Sequence, residues 1–152
     1  MATDSNDMLE LTIDKFIFRF PKNLRYSDAG LWIRQEDAAL RIGISDFVQQ
    51  HSGDIAFATI TPEGTALNAG EELAAIETVK VNISLPSPVK GIIVQVNPSL
   101  DESPELINQD PYGKGWIAVI QTESNEKDLH AFLVAETYAE LAREQAEAEL
   151  KH

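Results

Sequence analysis

The stretch EELAAIETVKVNISLPSP, residues 71–88, contains one cation, Lys80. An enzyme that modifies a lysine amine needs a fixed backbone and a free ammonium. Leu73, Ala75 and Glu77 alternate onto one strand face, and Ala74, Ile76 and Thr78 onto the other. Gly70 lies ten residues before Lys80 and Gly91 eleven after it. That near-symmetry predicts two strands folding back with Val79–Lys80 at the tip. A turn lysine by itself is a solvated residue; the spacing makes this one a presented amine.

The other chemistry-bearing residues form no comparable constellation. His51, His130 and His152 share no ligand spacing and read as solvated or capping residues. DESPE, Asp101–Glu105, pairs carboxylates without a partner and reads as a solvated loop. PYGKGW lacks the spacing of a phosphate-binding loop, and no serine sits in a nucleophile elbow. The chain has no cysteine, which excludes disulfides, thiolate metal sites and cysteine nucleophiles. No catalytic residues and no metal site are expected, and the protein is expected not to be an enzyme.

Short strands must hold Lys80 in place. FIFRF (16–20) alternates and ends at Pro21, and LWIRQEDAALRIGI reads as two strands around a polar turn at Gln35–Asp37. Ser45 is a possible N-cap and Gly53 a stop for a short helix between them. IAFATI, Ile92–Val96 and WIAVIQT read as strands, with one helical turn at Pro104–Ile107. From about Lys127 the pattern turns helical, with Leu133, Tyr138, Leu141 and Ala142 as an apolar stripe. Many short strands and a terminal helix predict a small barrel or sandwich. We read one domain over residues 1–152, with 1–12 a flexible N-terminal tail and about 143–152 an exposed C-terminal helical tail.

Twenty-five acidic and 12 basic side chains give a net charge of −13. That field repels nucleic acid and anionic membranes and favours basic patches on proteins. The first ten residues, MATDSNDMLE, lack the basic start and apolar run of a signal peptide. No apolar run approaches the length of a membrane span. The expectation is a cytoplasmic protein.

GEELAAIETVKV…SPVKGIIVQVN resembles a lipoyl-attachment hairpin: Glu77 stands three residues before Lys80, Thr78 supplies the hydroxylated residue, and Pro88 and Gly91 close the far strand. RIGISDFVQQHSGDI, TPEGTALNAGEEL and VNPSLDESPELINQDPYGKGWIAVI extend the likeness, and roughly residues 24–142 resemble the glycine cleavage system H-protein family. The block carrying Asn97, Leu100, Pro104, Leu106, Asn108, Asp110, Pro111, Tyr112, Gly113, Gly115 and Trp116 is the most specific part. Three departures stand out. Thr78 and Val81 replace the family's usual serine and alanine, Gly30 replaces a histidine two residues before the first tryptophan, and Ser52 replaces a leucine.

The resemblance implies a mainly β, barrel-sandwich hybrid of the lipoyl/biotinyl type, a flattened barrel with a short helix near 45–52 and a C-terminal helix. It implies lipoate in covalent amide linkage to Lys80, with Glu77, and beside it Thr78 and Val79, recognised by the lipoylating enzyme. Tyr112 is a candidate to line a groove for the loaded arm, Trp116 a core residue opening a strand, and Asn97, Asn108, Pro111 and Gly113 shapers of a packed loop. The implied role is a carrier that shuttles an aminomethyl group and reducing equivalents. Its implied partners are a lipoate ligase or lipoyl synthase system, glycine decarboxylase, aminomethyltransferase and dihydrolipoamide dehydrogenase. The related H-protein-like lipoate-binding proteins imply instead a carrier of sulfur intermediates for a heterodisulfide-reductase-like complex in sulfur oxidation. A third reading is an unmodified H-like protein that binds partners or relays lipoate.

Overall fold

A computed structural model describes residues 7–122 and 129–150. Eleven described strands form three sheets. β1 (Met8–Ile13) and β2 (Phe16–Pro21) make an antiparallel hairpin. The largest sheet runs β3 (Arg25–Tyr26), β4 (Leu31–Glu36), β5 (Ala39–Ile44), β11 (Ala118–Gln121), β10 (Gly91–Val96), β7 (Ala66–Leu67). The third joins β6 (Ile55–Ile60), β8 (Glu72–Thr78) and β9 (Asn82–Pro86). Helices are α1 (Asp46–Ser52), α2 (Leu106–Gln109) and α3 (Ala135–Leu150), with a 3₁₀ turn at Pro98–Leu100. This is the flattened, mainly β architecture expected, with its short helix and C-terminal helix.

Alternation builds the core. Leu31 and Ile33 of β4, Ile42 and Ile44 of β5, and Ile93 and Ile120 meet Leu73, Ile76 and Leu85 of the smaller sheet, all buried. Trp32 points to the opposite face of β4, into a second cluster with Phe20, Tyr26, Phe47 and Tyr138. Its paired residue is Gly43, where a Cβ would stand 2.5 Å from the indole. The missing side chain there lets the ring lie flat on β5.

Two expectations need correcting. Residues 8–13 are not a flexible tail. Leu11 and Ile13 are buried, and α3 packs against β1, β2 and β3. The two-residue turn Asp14–Lys15 has Asp14 at φ 58°, a region that aspartate tolerates. In β8 the simple alternation fails at Leu73. The register shifts between Glu72 and Ala74, so Leu73 is an extra, bulged residue, and Leu73, Ala74 and Ile76 are all buried.

Elsewhere the differences are smaller. The helical pattern begins in earnest at Ala135, and Lys127 lies outside the described residues. Leu133 is not in the helix; it bridges to Tyr26. α3 runs unbroken through residues 143–150; Glu144, Gln145, Glu147, Ala148 and Glu149 are exposed, and Ala146 packs on the second cluster.

Candidate functional site

Lys80 sits where the spacing places it, at the tip between β8 and β9. Glu77 pairs with Asn82, and the turn spans Thr78 to Val81. The Thr78 amide donates to the Val81 carbonyl at 2.9 Å. The second closing bond uses a side chain. Thr78 Oγ1 accepts from the amides of Lys80 (3.1 Å) and Val81 (3.0 Å), and the hydroxyl lies 3.1 Å from the Val81 carbonyl oxygen, to which it donates. One oxygen therefore fixes the backbone on both sides of Lys80. A serine hydroxyl would do the same, so Thr78 preserves the chemistry of the family's usual residue.

Around the tip the surface is open and partly apolar. Val79 is 83% exposed, Val81 is half exposed, and Phe57 is 65% exposed. Phe57 pairs with Glu77, and Glu77 with Asn82, so the three share one face of the sheet. Among the described residues, neither Lys80 nor Glu77 makes an ion pair.

The lysine stem runs past Gly53, the residue that ends α1. A Cβ on Gly53 would lie 3.4 Å from Lys80 Cε and 4.0 Å from Nζ. Gly53 has φ 85° and ψ −167°, a conformation almost restricted to glycine. The sequence identified it only as a helix stop; the structure makes it the surface along which the stem lies. Ser45 caps the other end of α1, accepting from the Val48 amide at 3.3 Å, as expected.

The specific block 97–116 supports this end of α1 from beneath. Asn108 Oδ1 accepts from the Ile55 amide at 2.9 Å, and its Nδ2 donates to Gln49 Oε1 and to the Gly53 carbonyl, both at 3.0 Å. Asn97 Nδ2 donates to the carbonyls of Lys114 and Trp116, each at 2.8 Å. The Pro111 carbonyl accepts from Trp32 Nε1 at 2.8 Å. Gly113 and Gly115 leave no room for a Cβ against Asp110 and the backbone of residues 106 and 107. These residues shape a packed loop. Trp116 is half-buried ahead of β11 and lies under the Arg41 guanidinium, 4.3 Å from its carbon.

Tyr112 is not among the residues that line the cleft at Lys80. Its hydroxyl accepts from the Asp46 amide at 2.9 Å and donates to the Arg19 carbonyl at 2.5 Å. Buried Asp46 completes that clasp, accepting from the Arg19 amide at 2.8 Å. Burial raises the Tyr112 hydroxyl well above its usual range, and the nearby Tyr26 adds to the effect. Sequence reading missed Asp46, because its partner is 27 residues away.

The remaining candidates stay apart from Lys80 or play other parts. His130 and the carboxylates of Asp101, Glu102 and Glu105 are exposed, and His152 lies outside the described residues. His51 is neither a cap nor free: it stacks on Phe47 and meets Glu149 at 3.0 Å. Gly30, where the family has histidine, takes φ 93°, and a Cβ there would collide with Val48 Cγ2 and come within 3.0 Å of the Tyr138 hydroxyl. Ser52 is buried. Among the described residues no helix is long and apolar enough to cross a membrane.

Known proteins bear on this geometry. A family profile described as "Glycine cleavage H-protein" matches residues 24–145. A "Glycine cleavage system H protein" of Bacteroides fragilis is 44% identical over 119 residues, covering 78% of this chain and 94% of its own. One from Carboxydothermus hydrogenoformans is 41% identical over 127 residues, covering 84% and 97%. The crystal structure of a glycine cleavage system H protein from Mycobacterium marinum superposes with a TM-score of 0.71 at 29% identity, over 79% of this chain and 96% of that one.

Proposed function

The chain belongs to the glycine cleavage H-protein family, and from that premise we propose that it is a carrier whose Lys80 holds a lipoyl group in amide linkage and presents it to successive partner enzymes. The observation that carries the reading is Lys80 itself, without an ion pair among the described residues, at the apex of a turn locked by Thr78, with Glu77 exposed three residues earlier.

The residues present fit such a group. Gly53 leaves the lysine stem unobstructed, and an amide at Nζ removes a charge that has no ion-pair partner among the described residues. When bound, the group supplies a dithiol–disulfide couple on a long arm, able to carry an aminomethyl group and two reducing equivalents. The chain's own part is positioning. Thr78 fixes the backbone of Lys80, Val79 and Phe57 offer apolar contact to a docking enzyme, and Glu77 on the same face as Phe57 offers a charge for recognition. The absence of cysteine removes internal competitors for thiol exchange. The net charge of −13 steers the carrier toward basic docking surfaces. The partners of this reading are a lipoate ligase, glycine decarboxylase, aminomethyltransferase and dihydrolipoamide dehydrogenase.

The test is intact-mass spectrometry after incubation with lipoate ligase, ATP and lipoate, followed by glycine–bicarbonate exchange with glycine decarboxylase. One lipoyl group per chain and restored exchange are expected, with Lys80→Arg losing both; modification persisting in that variant refutes the assignment. A second reading rests on Gly30, whose conformation and crowding against Val48 exclude the family's usual histidine. Lipoylation without exchange would select that reading, in which the arm carries sulfur intermediates to a heterodisulfide-reductase-like complex.

A further inference from the structure

The β1–β2 hairpin has two edges, and they differ. The Lys22 amide donates to the Asp7 carbonyl at 2.7 Å, which fixes the phase of the ladder. With Leu9 paired to Phe20 and Leu11 to Phe18, the backbone groups of Ile17, Arg19 and Pro21 point out of β2, and those of Met8, Glu10 and Thr12 point out of β1. The β2 edge is covered. Besides the Asp46 and Tyr112 clasp on Arg19, Gln50 Nε2 donates to the Ile17 carbonyl at 3.0 Å, and the Tyr26 hydroxyl donates to the Pro21 carbonyl at 2.7 Å. The β1 edge has no such cover. Among the described residues, no group bonds the outward amides and carbonyls of Met8, Glu10 and Thr12. Glu10 and Thr12 are exposed.

An open edge is a template for another strand, and proteins blunt most of theirs. The other described edges follow that rule. β3 and β7 are two residues long, register shifts interrupt the pairing of β6 and β9, and β9 ends in Pro86. β1 has none of these devices: it runs six residues in unbroken register with no proline and no lysine. It also lies outside residues 24–145, the stretch shared with the family. Its one charged residue, Glu10, is negative. The helix it packs on, α3, exposes Glu140, Glu144 and Glu147 and has Arg143 as its one described basic residue.

We propose that the β1 edge is a strand-addition site for a partner protein, taking an extended segment that alternates apolar and basic side chains. Main-chain pairing satisfies the outward groups of Met8, Glu10 and Thr12, and the pleat sets the side-chain pattern. Alternate residues of the added strand continue the apolar row of Leu9, Leu11 and Ile13; those between lie beside Glu10 and Thr12 on the solvent face. A basic side chain there meets Glu10, and the net charge of −13 favours a basic segment over a second copy of this acidic chain. The edge runs to Ile13 and Asp14, which line the cleft at Lys80, so a segment held on β1 tethers its owner beside that lysine. Strand addition is independent of the carrier reading; only its use, keeping a partner within reach of a group on Lys80, rests on it.

The probe is a capped peptide as long as β1 that alternates valine and lysine, added to the full, unmodified chain, with amide hydrogen exchange followed by NMR. The Glu10 and Thr12 amides point outward and should exchange fast in the free protein. At a peptide concentration about ten times the dissociation constant, their exchange should slow about tenfold, because the edge is then free about one-tenth of the time. The same peptide methylated on the alternate amide nitrogens that face β1 keeps its charge and should bind about tenfold more weakly. Thr12→Pro removes an outward donor and should weaken binding likewise, with retained protection of the Leu11 and Ile13 amides showing that the hairpin is folded. Binding that leaves the Glu10 and Thr12 amides fast, equal affinity for the methylated peptide, or no binding at millimolar peptide overturns the site. So do slow Glu10 and Thr12 amides in a free protein that sediments as a dimer, because the occupant is then a second copy. No arm of the test uses lipoate, so its failure leaves the carrier reading standing.

Discussion

Asn108 and Gly53 are joined by a hydrogen bond of 3.0 Å from the Asn108 amide to the Gly53 carbonyl, across 55 residues of sequence. The same side chain holds Ile55 and Gln49, so it fixes the surface past which the Lys80 stem runs. Asn108→Ala removes all three bonds and leaves the Ile55 amide unpaired. We expect a loss of about 1–3 kcal/mol, read from the urea midpoint at unchanged m-value.

Thr78 separates chemistry from bulk. Thr78→Val keeps the β-branched shape but frees the amides of Lys80 and Val81. With about 1 kcal/mol of net hydrogen bonding lost, the initial rate of lipoylation, followed by intact mass, should fall about fivefold. Thr78→Ser should stay close to wild type. A loss in Thr78→Ser with Thr78→Val close to wild type would show that the methyl group, not the hydroxyl, matters.

Restoring the family's histidine should harm this chain. Gly30→His must adopt φ near 93° and displace Val48. Strain and overpacking each cost about 1–3 kcal/mol, so the midpoint of thermal unfolding should drop by several degrees. A neutral Gly30→His substitution would refute the crowding argument.

Alkaline pH should loosen the second cluster. Burial pushes the Tyr138 hydroxyl from its ordinary 10.0 up to about 12, although its bond to Ser45 works the other way. Burial raises Tyr26 and Tyr112 further in the same direction. Between these values the unfolded chain has lost protons that the folded chain keeps, so stability is full below pH 10 and declines as pH rises toward 12 and above. Thermal melts over that range should show the decline, and Tyr138→Phe should make it shallower while lowering stability at neutral pH through loss of the Ser45 bond.

Local features were the legible ones. Gly70, Gly91 and the alternation between them located the tip at Val79–Lys80, and Ser45 and Gly53 bounded α1 to within a residue. Leu73 was not readable, because a bulge adds a residue without changing residue type. Met8–Ile13 was missed for a different reason. Glu10 and Thr12 make the segment look polar, and the cover for Leu11 and Ile13 comes largely from α3 and β2, at the far end of the chain or across a turn. Asp46, Tyr112 and Asn108 act over 27 to 93 residues, and a single sequence carries no record of such pairings.

The clasp on Arg19 has an evolutionary consequence. Asp46 and Tyr112 grip its amide and its carbonyl, not its guanidinium. Any residue except proline at that position would offer the same two handles. This part of the hairpin's fastening is therefore indifferent to the side chain at position 19, and it adds to the packing of Phe18 on Phe47 and of Phe20 on Tyr138. A chain built this way can change the residue at position 19 while β2 keeps its place against α1.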